Sequence, residues 1–338
     1  MKYFLIFSFL FTTLEITSQT SDFKNISFNK ADNIAQLFYG EDLYNLPLLT
    51  YNLTAKLETD VEKFRAIYTW VCKNIKGDYY MYKRITRNRN KLKKDSISYV
   101  SWNKAYSKKV YKKLLKHKKT MCTGYAYLIK TMAEIANIEC KIIDGYSRNT
   151  STNIEKLSSP NHSWNAIKLN NKWYLADATL SSGYTDLSIN TFIFDYNDGY
   201  FLADPKLFVQ QNYPLDNKWT LLNTQQFSIT NYLSAPLIYT AAFKHNLYPN
   251  SSLKMNSETL INKTIHFKYQ FLEKLALDKI ELKINEEYFA IKKAITSVLK
   301  GTNTVNISFN FDKKGIYDVH LYYKNEIIAS QTIRVKTN

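Results

Sequence analysis

The sequence predicts an α+β domain, with helices packed on an antiparallel sheet, followed by an all-β sandwich. Three observations carry that prediction. Apolar residues recur at spacings of 3 and 4 through two stretches of the first half of the chain. After Asn137 the period drops to two, and two strand-like runs flank Asn170-Asn171. Beyond residue 250 short alternating segments dominate. The 338 residues agree with two domains at roughly 150 residues each.

At the N-terminus, Met1-Lys2 precedes an apolar run from Tyr3 to Phe11 and a small polar exit, Thr17-Ser18-Gln19-Thr20. A positive start, a short apolar core and small residues at the exit describe a secretory signal peptide; a buried first helix is the plainer alternative. The run is shorter than the about 20 apolar residues a spanning helix needs. The expectation is removal of residues 1–19 by cleavage near Ser18, leaving an exported, soluble chain in a periplasmic or extracellular compartment. The expected domains are 20–225, a connector at 226–249, and a β-sandwich at 250–338.

Residues 59–75 read as a helix capped by Asp60, with Phe64, Ile67, Tyr68, Val71, Cys72 and Ile75 along one face. A polar, basic stretch follows from Lys83 to Lys119. Thr120 then precedes a second helix with Tyr125, Leu128, Ile129, Met132 and Ile135 on its apolar face. Ile138, Cys140 and Ile142 lead a strand into Gly145. Runs at 163–169 and 172–179 form a hairpin about Asn170-Asn171, a pair that tolerates the positive φ of a tight turn. In the sandwich, residues 264–269, 279–285, 304–311 and 318–323 alternate apolar with polar.

Composition narrows the function. At 45% hydrophobic and 15% aromatic residues the chain is not disordered, and three Cys cannot make a disulfide scaffold. No His, Cys or carboxylate cluster has metal spacing, and neither a P-loop nor a Gly-X-Gly-X-X-Gly occurs, so no cofactor and no metal are expected. The net charge is +17, which by itself would fit a nucleic-acid partner. Most of it is local, however: residues 83–119 hold 15 Lys and Arg against one acid, Asp95. No nucleic acid is therefore expected. Lys83 to Lys119 reads either as a solvated loop and helix or as a patch for acidic substrates or an anionic cell-envelope surface.

Cys122 opens the second helix, where unpaired backbone N–H groups favour a thiolate. Position alone also fits a core cysteine, since 122, 125 and 129 share a face. With a two-residue turn at Asn170-Asn171, residues whose numbers sum to 341 face each other, and His162 and Asp177 become diagonal neighbours on one face. An Asp beside a His fixes its tautomer and frees the other ring nitrogen for a thiol. Cys72 and Cys140 fall on apolar faces and read as buried free thiols, or as a disulfide that export would allow.

The segments Glu62-Lys63-Phe64-Arg65-Ala66-Ile67-Tyr68-Thr69-Trp70, Cys122-Thr123-Gly124-Tyr125-Ala126, His162-Ser163-Trp164-Asn165-Ala166 and Trp173-Tyr174-Leu175-Ala176-Asp177-Ala178-Thr179 resemble the transglutaminase-like superfamily, of papain-like fold, in the branch of the kyphoscoliosis peptidases. Phe201-Leu202-Ala203-Asp204-Pro205 and Tyr213-Pro214-Leu215 resemble the segment that follows the domain there. The resemblance spans residues 60–219, and the C-terminal sandwich is similar to the immunoglobulin-like modules found beside such domains. It implies Cys122 as nucleophile, His162 as base and Asp177 as its orienter, acting on a protein or peptide substrate by thiol-dependent acyl transfer. A cysteine peptidase or amidase is the first expectation, with a cross-linking transglutaminase or a silent scaffold as alternatives. The chain departs from the family at Leu180-Ser181-Ser182-Gly183, where Trp-Gly commonly follows Asp-Ala-Thr.

Overall fold

The computed structural model describes residues 19–92, 94–149, 160–222, 227–285, 295–299 and 301–337. The expected signal segment, up to residue 18, lies outside them. Among the described residues no helix is long and apolar enough to cross a membrane.

Helices α1 (Asn29–Leu37), α2 (Leu46–Thr54) and α3 (Asp60–Asn74) open the first domain. Helix α3 is buried almost all round, from Val61 and Phe64 to Trp70 and Cys72, because α1, α2 and a later helix all pack on it. Its cap is Thr59 rather than the expected Asp60. The Thr59 hydroxyl accepts from the Glu62 N–H, and the Glu62 carboxylate accepts from the Thr59 N–H, a reciprocal capping box that leaves Asp60 as the first helical residue. The buried Arg65 in α3 is held by Asp32 at 2.7 Å and by Asp198, and its guanidinium lies over Phe28 and Phe201.

The basic stretch is helical. After β1 (Lys76–Gly77) come α4 (Tyr79–Leu92) and α5 (Ser96–His117), then β2 (Lys119–Thr120). Strands β1 and β2 pair in parallel, Lys76 with Lys119 and Gly77 with Thr120, so the helical hairpin leaves and rejoins the domain at one point. The buried Asp78 carboxylate fixes that junction: it accepts from the Met81 N–H and pairs with Lys113 at 2.7 Å. Among the described residues of α4 and α5 a narrow stripe, Met81, Ile85, Val110 and Leu114, is buried, and the described lysines are exposed.

Helix α6 (Cys122–Ile135) follows at once. Its face from Tyr125 to Met132 is buried as expected, whereas Ile135 sits at the rim, 37% exposed. Against α6 lies an antiparallel sheet in the order β5, β4, β3, β8, made of β3 (Cys140–Ser147), β4 (His162–Leu169), β5 (Lys172–Ala176) and β8 (Asn212–Pro214). The hairpin has the expected register, Asn165 with Ala176 and Ala166 with Leu175. Asn170 and Asn171 both take positive φ, 49° and 62°, as a two-residue turn of this hand requires. The second strand stops at Ala176, short of the expected Thr179, because Asp177 caps α7 (Ala178–Ser182). Strands β6 (Gly183–Asp186) and β7 (Thr191–Phe194) form a separate hairpin, and α8 (Pro205–Gln211) leads into β8.

The C-terminal unit is an immunoglobulin-like sandwich. After α9 (Ile229–Ser234), β9 (Leu237–Ile238) and α10 (Thr240–Lys244), its strands are β10 (Leu247–Pro249), β11 (Asn256–Leu260), β12 (Thr264–Phe271), β13 (Ile280–Ile284), β14 (Ile295–Val298), β15 (Thr304–Asn310), β16 (Gly315–Tyr323) and β17 (Glu326–Lys336). One sheet runs β10, β12, β15, β14 and the other β11, β17, β16, β13, an order in which the sequence crosses repeatedly between layers. Strands β9 and β10, inside the segment read as a connector, pair with β17 and β12. Trp164, Tyr200 and Phe208 of the first domain share a core with Phe243, Tyr248 and Phe267.

Candidate active site

Each of the three residues singled out by sequence is positioned by a different element. Cys122 is the first residue of α6, and it is buried. The close fit of α6 against the preceding β2 depends on Gly124, since a Cβ there would lie 1.9 Å from the Thr120 Oγ1. His162 is the first residue of β4, paired with Gly145 of β3. That partner must also be Gly, because a Cβ would meet Tyr213 O at 2.2 Å and the Trp164 ring at 2.5 Å. Asn165 ties β4 to α6 by donating to Ala126 O at 3.0 Å. Asp177 sits at the end of β5, fully buried.

These elements bring the three side chains together. His162 Nε2 lies 2.6 Å from Asp177 Oδ2, leaving Nδ1 for the thiol. The other carboxylate oxygen, Oδ1, accepts from the Thr179 and Leu180 N–H groups at 3.1 Å each, so the start of α7 holds the anion in place. Trp164 stacks on the imidazole with centroids 6.0 Å apart. Sequence reading missed Asn212, whose Nδ2 donates to Asp177 Oδ2 at 2.9 Å from strand β8. The one sequence signal near it is the Tyr213-Pro214 of the segment following the domain.

The electrostatics favour charge separation. Burial opposes ionisation of Cys122, but the hydrogen bond and charge of His162, with Arg89 and the Ser163 backbone, outweigh it and hold the thiol below its ordinary range. Burial likewise opposes the imidazolium of His162, yet Asp177 and the Cys122 sulfur push its pKa up to about 10. Cys72 and Cys140 behave oppositely. All three cysteines are free, and burial pushes these two thiols up to about 12.

Two clefts meet at this point. The larger, about 690 Å³, is walled by α4 and α5 and reaches His162. The smaller, about 300 Å³, reaches both Cys122 and His162 and is lined by Tyr82, Leu180, Tyr184 and Phe192. Two of these rings, Tyr184 and Phe192, come from the β6–β7 hairpin, and Phe192 packs on Gly77.

A helix-borne thiol facing a His on an antiparallel sheet, with a buried Asp behind it, defines a class. Residues 48–178 match the Transglutaminase-like superfamily, and this part of the chain is a transglutaminase-like domain. Within that class the chain is similar to the kyphoscoliosis peptidases. It is 29% identical to that of Mus musculus over 222 residues and 29% identical to that of Homo sapiens over 226, in each case covering 65% of this chain and 30% of the relative. It is also 24% identical to Hillarin of Drosophila melanogaster over 237 residues, covering 66% of this chain and 26% of Hillarin. The match thus spans less than a third of the length of these relatives.

Proposed function

We propose that the protein is an exported thiol-dependent acyltransferase acting on peptide or glutamine carboxamide bonds, primarily as a cysteine peptidase or amidase. What supports the reading most is the arrangement of a lowered Cys122 thiol, a raised His162 and the 2.6 Å contact of His162 with Asp177. Shifts in these directions favour the thiolate–imidazolium form of a Cys–His pair, the reactive form of such a nucleophile.

The Cys122 sulfur attacks a carbonyl carbon, and the oxygen takes up negative charge. The Cys122 backbone N–H, one of the first-turn amides without an intrahelical acceptor, serves as one donor to it. His162 Nδ1–H gives its proton to the departing amine, the C–N bond breaks and a thioester forms. Water then gives a proton back to His162 as its oxygen attacks the thioester carbon and the C–S bond breaks, releasing the acid and restoring the Cys122 thiolate beside the imidazolium. A lysine amine in place of water would make the same thioester a cross-linking intermediate. Similarity to the mammalian kyphoscoliosis peptidases favours water. Export rests on the signal-like residues 1–19.

The test is incubation of the mature chain with unfolded protein substrates and a fluorescent primary amine. New N-termini that disappear in Cys122→Ala support hydrolysis, and amine incorporation that disappears in the same variant identifies the cross-linker. Neither product, with wild type and Cys122→Ala alike, would overturn the enzyme reading in favour of a scaffold.

A further inference from the structure

The larger cleft has a chemistry of its own. Its outer wall is apolar, formed by Ile85, Val110 and the stacked rings of Trp102 and Tyr106, whose centroids are 5.1 Å apart. Two cations, Arg89 and Lys104, line the same space. Arg89 makes one long hydrogen bond, Nη1 to Pro160 O at 3.4 Å, and its buried Nε has no partner among the described residues. None of the ion pairs among those residues includes it. Asp144, the one acid among the described residues that line the cleft, accepts from Ser163 Oγ at 2.6 Å. A guanidinium with no carboxylate partner among the described residues, set beside an apolar wall, can accept an anion from outside.

We infer that this cleft is the subsite for a substrate segment carrying an Asp or Glu side chain next to an apolar or aromatic residue. The carboxylate pairs with Arg89, with Lys104 reinforcing it, and the apolar neighbour packs on Ile85, Val110 and Trp102. The charge of α4 and α5 raises the local concentration of such acidic segments over the site. This inference rests on the proposed reading of Cys122 for the reacting end of the substrate, but the binding chemistry belongs to the cleft.

The test uses N-iodoacetyl dipeptide amides of sequence Glu-Phe, Gln-Phe and Lys-Phe. Each reacts by forming a bond from the Cys122 sulfur to the methylene carbon as the carbon–iodine bond breaks and iodide leaves. The Glu probe is expected to alkylate the wild type about tenfold faster than the Lys probe at low ionic strength, and the gap to shrink in salt. Arg89→Gln and, independently, Lys104→Glu should each narrow the gap, with the Gln probe little changed relative to iodoacetamide. The same preference should be seen for binding of acetyl-Glu-Phe-amide over acetyl-Lys-Phe-amide to Cys122→Ala, measured by calorimetry. An inert Cys122 with the binding preference intact would overturn the proposed function and support the subsite. Equal binding of both peptides, or a preference untouched by both substitutions, would overturn the subsite.

Discussion

Asp177→Asn is nearly isosteric and leaves the fold's shape intact, so it isolates the charge behind His162. In the wild type the carboxylate accepts four hydrogen bonds, from the Thr179 and Leu180 N–H groups, His162 and Asn212. An amide can keep the two backbone donors on its oxygen, but its NH₂ then faces His162 Nε2 and the Asn212 NH₂. His162 must turn Nε2 into an acceptor, which puts its proton on Nδ1 and leaves no lone pair there for the thiol. The rise of His162 to about 10 from 6.5 amounts to roughly 5 kcal/mol favouring the imidazolium, shared between Asp177 and the Cys122 sulfur. Loss of about 3 kcal/mol of it, the lower end for breaking a buried pair, corresponds to about a hundredfold fall in the equilibrium constant between the thiolate–imidazolium pair and its neutral form. The assay is site-resolved alkylation of Cys122 by iodoacetamide as a function of pH. The wild-type inflection should lie below the ordinary thiol range, and that of Asp177→Asn should move up to or beyond it. An unchanged profile in a folded Asp177→Asn protein would refute the argument that the buried carboxylate sets the pair.

With their thiols pushed up to about 12, Cys72 and Cys140 should resist iodoacetamide in the native chain at pH 8 while Cys122 reacts; peptide mapping should find all three modified only after unfolding. Gly124→Ala drives a Cβ to 1.9 Å from Thr120 Oγ1 and 2.8 Å from Thr120 Cβ, so urea unfolding should show a loss of about 1–3 kcal/mol, restored only in part by adding Thr120→Ala, which leaves the second contact. Thr59→Ala removes half of the reciprocal cap on α3 and should cost about 1 kcal/mol in the same assay without shifting the Cys122 pH profile.

What the sequence made legible is local. The Asn170-Asn171 turn sets the β4–β5 register by itself, and that register carries His162 to Asp177 without any knowledge of the rest of the fold. The cap of α3 was misread by one residue because Asp60 and Thr59 are both good caps, and only the reach of Glu62 back to Thr59 decides between them. The helical hairpin of α4 and α5 was illegible for a physical reason: its buried stripe is so narrow that charged residues dominate the period, and what folds it onto the site is the two-residue β1–β2 ladder and the Asp78–Lys113 pair. Asn212 was missed because it reaches Asp177 from β8, 35 residues further along, and no periodicity connects the two. In the sandwich the alternation was clear, but β11 pairs in parallel with the last strand, a contact that depends on long-range topology alone.

The proposed chemistry depends most directly on the charge state of one ring. A ¹⁵N NMR titration of His162 in the mature protein should find both ring nitrogens protonated through pH 8, with the transition toward pH 10, because Asp177 and the Cys122 thiolate hold the imidazolium against the cost of burial. A neutral ring at pH 8 that titrates at or below the ordinary value of about 6.5 would mean that burial wins, and would contradict the ion pair on which the proposed chemistry depends.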